Sequence, residues 1–404
     1  GSPGMAIAPR RMRALHRRGK KTWDGRMLRH GGYLRGLRRF LVLTGDVMRN
    51  EGATETGNLT RPSPSAGRRL VACLALVPAS LAAQVAEKAP AGGKNPVAAP
   101  TLGAPAHDPS TIVKHRGVYW TFATGRGVLS LRSRDLVHWE RGPAVFPSPP
   151  SWIQEVVPSQ RGHFWAPDVT EQDGRFLLYY SVSAFGKRTS AIALATSPTL
   201  DPGDPNHQWK DEGIVVQTND DSDHNAIDPC IVRAVNGTLW LAYGSYWSGI
   251  KLLELDPRTG KRIAAGSPVH SLAHKSEIEA AAIYHHGGLY YLFVNWGHCC
   301  RGVNSTYNIR VGRSIEITGP YLDKAGVDLR QGGGSLVLGT EGRFIGPGHA
   351  GILHEGETFW LSYHVYDAED NGRARLALRP IQWDADGWPV VPASAPAIPR
   401  RARI

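Results

Sequence analysis

Between residues 279 and 320 short apolar runs alternate with turn-forming residues. An apolar run at 280–284 is followed by a His285-His286-Gly287-Gly288 turn, then by an aromatic and β-branched run at 289–294. A second alternating segment at 307–311 leads through Gly-Arg-Ser to a Thr-Gly-Pro turn at 318–320. Runs of this length and composition predict strands, and the turns between them predict a small antiparallel sheet. An acid, Glu279, stands at its head.

The unit recurs along the chain. Asp108 lies twelve residues before Trp120, Asp228 twelve before Trp240, and Glu279 twelve before Tyr291. Two looser copies start at Phe164 and at Gly346, and in the latter His349 stands eleven residues before Trp360. Each copy takes about 50–70 residues, the length of a four-stranded propeller blade. The expectation is therefore an all-β, five-bladed β-propeller over 106–404. The innermost strand of each blade lines the channel of such a fold, so Asp108, Asp228, Glu279 and His349 should converge on the axis. Segments such as SLRSRDLVHWERG and SAIALATSPTLDP read as outer strands, and the loop at 244–249, with hydroxyl, indole and glycine, reads as one that faces a ligand.

Charge changes the picture only after it is divided along the chain. The net +12 suggests a nucleic-acid binder, but the first 70 residues hold 16 Lys or Arg against 4 Asp or Glu, and the 31 basic and 31 acidic residues beyond cancel. The blade region is neutral, which suits an uncharged ligand such as a sugar polymer, and no nucleic acid is expected as partner. Eleven of the twelve Trp also lie in that region.

Residues 1–66 read as a basic extension without apolar periodicity, headed by a cloning remnant at 1–4. Residues 67–84 have the basic start, apolar run and small-residue end of a secretory signal, with cleavage expected near Ala83 and Met48 as the candidate natural start. Residues 85–105 read as a Pro/Ala/Gly linker. No other stretch approaches a membrane span. The expected protein is secreted or periplasmic and monomeric. Cys299 and Cys300 can bridge only through a small strained ring, so they read as reduced thiols near the channel, with a vicinal disulfide as the alternative.

An acid before Pro is ordinarily a turn residue. Three acids at matching places in three repeats ask for another reason. Cleavage of a glycosidic bond needs one carboxyl that holds its proton and one that stays ionised, and a third negative charge helps to separate their pKa values. Glu277 shares a strand face with Glu279, but the twelve-residue register selects Glu279. Phe164 and Trp165 are candidates for a sugar-stacking platform.

The strings HDPS, FWAPDV, SAIALATS, NAIDP, YGSYWSGI, IEA, CCRGVNSTYNIRVGRS and ITGPY resemble the endo-1,5-α-L-arabinanases of glycoside hydrolase family 43, over about 107–391. The resemblance implies a five-bladed propeller that cleaves internal α-1,5 linkages of arabinan with inversion. It implies Asp108 as general base, Glu279 as general acid, and Asp228 as the residue that tunes and orients the acid. It also implies substrate contacts at Gly186, Asn225, Ala226, Ile227, Ser245, Tyr246 and Trp247. Where the wider family commonly has Pro after Glu-Ala, this chain has Ala281. His349 in GPGHAG matches a channel histidine near a bound ion, often calcium, held mostly by water. No organic cofactor is implied. The readings that compete are an exo-acting arabinofuranosidase or β-xylosidase of the same fold, and a carbohydrate-binding propeller without catalysis.

Overall fold

The structure, a computed structural model, describes residues 99–392. The expectations for 1–66 and 67–84, and for the linker up to residue 98, lie outside the described residues. Five antiparallel sheets follow one another around a ring. The first four are built in chain order, from the axis outward. The innermost strands of blades one to four are Val113–His115, His163–Gln172, Cys230–Arg233 and Ile278–His286.

Blade five closes the ring differently. Its inner strands Phe344–Glu355, Thr358–Asp367 and Arg373–Trp383 come from the C-terminal part, and its outermost strand, Thr101–Pro105, comes from the N-terminal part. Thr101 pairs with Leu378 and Pro105 with Arg375. The stretch read as linker up to residue 105 thus ends in a strand. Pro and Gly hid it from a propensity reading, but an outermost strand donates to one neighbour only and tolerates Pro.

The core is divided as the ring is. Five hydrophobic clusters fill the five gaps between consecutive blades; one joins Ala106 and Ile112 of the first blade to Leu353, Trp360 and Leu376 of the fifth. Burial between blades, more than within any one sheet, fixes how far each inner strand reaches toward the axis. A buried acid adds a polar tie there. Asp168 accepts the backbone N–H of Thr111 at 3.0 Å and that of Ile231 at 2.8 Å, and so links blade two to blades one and three.

Every inner strand, or the chain just ahead of it, carries one non-glycine residue with positive φ: Asp108, Ala166, Asp228, Ala280 and His349, at 40–61°. L-residues seldom adopt this region, so five equivalent cases mark a designed bulge at the channel. The hydrogen bonds and pairings put Glu279 one position ahead of that set: it pairs with Asn295, as Gly348 does with His364, and it matches Ile227, whose carbonyl accepts Gly244 N–H. The twelve-residue register therefore found Glu279 because the fourth hairpin is one residue shorter than the third.

Candidate functional site

The bulges turn side chains into a cleft of about 1140 Å³ lined from all five blades. Asp108, Asp228 and Glu279 all line it, as expected. Glu277 does not; it is half-exposed and pairs with His298 Nε2 at 3.2 Å.

Each carboxyl group has a different surrounding. Asp108 Oδ2 accepts from Thr124 Oγ1 at 2.6 Å and lies 2.7 Å from His107 Nδ1. Its Oδ1 accepts no hydrogen bond among the described residues, and the nearest ring nitrogens, Nδ1 of His349 and of His364, are 3.6 Å away. Burial by itself would raise this carboxyl, but the charge and hydrogen bond of His107, helped by His349 and His364, outweigh burial and hold Asp108 far below the usual carboxylate range. It stays ionised, with one oxygen tethered and the other open.

Asp228 lacks such partners. Its Oδ2 accepts the N–H of Ala280 at 3.2 Å, and its own N–H donates to Ser181 Oγ at 3.1 Å. Burial, and then the charges of Glu279 and Asp108, push its carboxyl well above the usual range. Burial also raises Glu279, against hydroxyl hydrogen bonds that favour its ionised form. Those hydroxyls belong to Tyr307, which donates to Oε1, and to Ser245, which donates to Oε2 at 2.7 Å. Asp228 and Glu279 act as a pair that holds on to a proton. Tyr307 reaches Glu279 because residue 348 is glycine: a Cβ there would stand 2.3 Å from the tyrosine ring.

The expected ligand contacts divide. Trp165 lines the cleft edge-on to Phe185, with ring centroids 6.3 Å apart, and Phe185 is 80% exposed. Phe164 does not belong to this platform. It is fully buried against Phe146 and Tyr180, because neighbours on a strand face opposite sides and only one of the two aromatics can face the cleft. The same alternation removes the side chain of Ala226. It packs in the cluster between blades two and three, whereas Asn225 and Ile227 line the cleft. Asn225 Oδ1 accepts from Ser190 Oγ at 2.7 Å, which holds the side chain in place. Gly186, Ser245, Tyr246 and Trp247 all line the cleft. Tyr246 Oη lies 3.0 Å from His298 Nδ1, and the Arg188 guanidinium stands 5.7 Å from the Trp247 ring.

His349 is buried at the axis, its imidazole held neutral by desolvation, and its backbone N–H donates to Asn295 Oδ1 at 2.9 Å. His107, Asp108 and His364 offer donor atoms within 4.8 Å of one another. Cys299 and Cys300 form a disulfide on the cleft wall, contrary to the expectation of free thiols; Cys300 adopts a positive φ of 66°, which lets adjacent sulfurs meet.

Thr124, Tyr307, His107, His364 and Tyr366 were not singled out from the sequence. His107 and Tyr307 stand inside strings already noted, HDPS and NSTYNI, so a polar residue beside each acid motif was the available signal. His364 and Tyr366 sit on a second strand and Thr124 just past another, where their sequence context is that of blade core.

The comparisons with known proteins agree with this geometry. The pattern described as glycosyl hydrolases family 43 matches residues 97–389. The chain is 41% identical over 299 residues to an extracellular exo-α-(1→5)-L-arabinofuranosidase of Cellvibrio japonicus, a match covering 70% of this chain and 86% of that protein. It is also 41% identical over 291 residues to an extracellular endo-α-(1→5)-L-arabinanase of Bacillus subtilis, with the same coverage. Among solved structures, the Cellvibrio cellulosa α-L-arabinanase complexed with arabinohexaose matches with a TM-score of 0.69 at 40% identity, over 72% of this chain and 96% of that one. The endo-arabinanase of Bacillus licheniformis matches with a TM-score of 0.66 at 41% identity, over 73% and 99%. Carboxyl groups driven in opposite directions and facing one cleft are what glycosidic cleavage calls for, and this chain belongs to glycosyl hydrolase family 43.

Proposed function

We propose that this glycosidase cleaves internal α-1,5-L-arabinofuranosidic linkages of arabinan with inversion. The observation that carries the reading is the opposed electrostatics of the carboxyl groups: Asp108 is ionised with Oδ1 open, and the Asp228–Glu279 pair retains a proton. Asp108 Oδ1 takes a proton from water as the oxygen attacks the anomeric carbon. Glu279, held at both oxygens by Tyr307 and Ser245, gives its proton to the departing glycosidic oxygen. Asp228 orients that acid through the Ala280 N–H and keeps its affinity for the proton high. A water between base and sugar makes this a single displacement, and the anomeric centre inverts.

Internal attack is supported by a lining that continues on both flanks of the acids, from Trp165 and Phe185 on one side to His298 and Arg301 on the other. The second reading is exo attack with the same residues, favoured by the exo-acting relative from Cellvibrio japonicus. We further propose that the enzyme works outside the cell, as both named relatives do; among the described residues no helix is long and apolar enough to cross a membrane.

An ion is proposed at His349. The buried neutral imidazole suits a single nitrogen donor, and a hard cation such as calcium would take its remaining ligands from water. When bound, its charge would help keep Asp108 ionised. Elemental analysis of the purified protein should find about one cation per chain, and His349→Ala should lose it.

Asp108→Ala and Glu279→Ala should each lower kcat on linear arabinan by about 10²–10⁴-fold while the circular dichroism of the fold is kept. Normal turnover in either removes the assignment. A short time course on debranched arabinan should give a spread of oligomers; a single small product from the first minutes would establish exo attack. Proton NMR of the first product should show the β-anomer, and an α-anomer would exclude a single displacement.

A further inference from the structure

The acid–base reading leaves the Cys299–Cys300 disulfide without a task. It stands on the cleft wall beside the base, in a loop with glycines of positive φ on either side, Gly297 and Gly302. Cys300 itself holds a φ of 66°, a conformation an L-residue rarely keeps unless something constrains it. The covalent ring between neighbouring side chains supplies that constraint.

A chain of three hydrogen bonds runs from this ring to Asp108. The backbone N–H of Cys300 donates to Tyr366 Oη at 2.7 Å. Tyr366 Oη lies 2.7 Å from His107 Nε2, and His107 Nδ1 lies 2.7 Å from Asp108 Oδ2. An imidazole that carries the charge opposite Asp108 donates from both ring nitrogens. Nδ1–H points to Asp108 Oδ2, and Nε2–H to Tyr366 Oη, which also accepts the Cys300 N–H. The phenol oxygen thus anchors the far side of the ring that tethers the carboxylate. The ring is also clamped in space: His364 stacks on it with centroids 4.1 Å apart, and Cys300 Sγ lies 3.9 Å from His107 Nε2.

We propose that the Cys299–Cys300 disulfide, with Tyr366 and His107, is a positioning device for the catalytic base, fixing the rotamer of Asp108 so that Oδ1 stays turned toward the attacking water. This rests on the reading of Asp108 as base. Tyr366 and His107 act through Asp108, and the disulfide acts through Tyr366.

The test is a cycle on the full chain. One arm opens the disulfide, by a water-soluble phosphine on the folded wild type, with thiol titration to count the two thiols released, and by Cys299→Ser with Cys300→Ser. The other arm is Tyr366→Phe, which touches no sulfur and keeps the inference testable if the serine variant does not fold. Opening the disulfide should lower kcat on arabino-oligosaccharides about ten- to a hundredfold with KM within about twofold. Tyr366→Phe should do the same, and opening the disulfide in Tyr366→Phe should add little, because both act along one chain. An unchanged kcat, a rise in KM alone, or losses that multiply would overturn the inference. If Asp108→Ala keeps its activity, the base assignment itself falls; if that variant is inactive and the opened disulfide is harmless, only the positioning role falls.

Discussion

Asp108 has an imidazole at 2.7 Å and a hydroxyl at 2.6 Å, whereas Asp228, more deeply buried, has a backbone N–H at 3.2 Å and two other carboxyl groups for neighbours. Identical side chains are driven in opposite directions by these partners. The consequence is a pH profile with a clear sign. An acid with a raised pKa supports turnover while protonated, so activity is present below that pKa and lost as pH rises through it. Asp108, held low, should add no acid limb until well below the usual carboxylate range. Two substitutions should move the alkaline limb of kcat/KM in opposite senses. Asp228→Asn removes a negative charge and should shift it to lower pH. Tyr307→Phe removes a hydrogen bond that favours ionised Glu279 and should shift it to higher pH, with kcat down about ten- to a hundredfold for a lost hydrogen bond of ~1.5–3 kcal/mol to the carboxylate left as the proton departs. Shifts in the same direction would contradict the assigned surroundings. The acids themselves were legible in the chain because they recur. Their separate roles came from the family resemblance and not from the spacing, because Thr124, His364 and Tyr307 reach them from other parts of the chain, and in His364's case from another blade.

Inner strands, or the chain just ahead of them, carry the acids, and the bulges decide where the acids point. Five positive-φ residues at matching places show that the strand turns out of its regular pleat once per blade. Such a bulge breaks the two-residue alternation, which is why consecutive residues such as Ile227 and Asp228 both line the cleft. Farther from the bulge the alternation holds, and it buries Phe164 beside Trp165. Asp168 shows how neighbouring inner strands are kept in register. Burial raises its carboxyl to about 6 despite the two backbone N–H groups it accepts. Asp168→Ala should leave those N–H groups unsatisfied in the interior and lower the unfolding free energy by about 2–5 kcal/mol. Denaturant titration would measure it, with Asp168→Asn, which keeps one acceptor, falling between the variant and wild type. A loss within ~0.5 kcal/mol would mean that water or a shifted backbone satisfies both groups.

The ring as a whole depends on a strand from one end of the fold pairing with a blade from the other. Deleting Thr101–Pro105 should bare the Arg373–Trp383 edge and remove Leu102 from the cluster between blades four and five. A clear fall in thermal midpoint and a tendency to associate through the exposed edge are expected, read by calorimetry and light scattering. An unchanged midpoint would show that closure adds nothing to stability. The repeat spacing, the turn residues and the concentration of Trp made five blades readable from the amino acids alone, because each blade is a local unit whose hairpins leave a periodic trace. The same local trace placed three acids at the heads of blades. It could not place the closing strand, whose partner lies 270 or more residues away. Nor could it show that the fourth hairpin is shorter by one residue, that Cys299 and Cys300 are joined, or that Tyr366 and His107 stand behind Asp108. Local chemistry determined which residues could act; contacts between blades, which no run of neighbouring residues records, decided which of them bear a proton and which way they face.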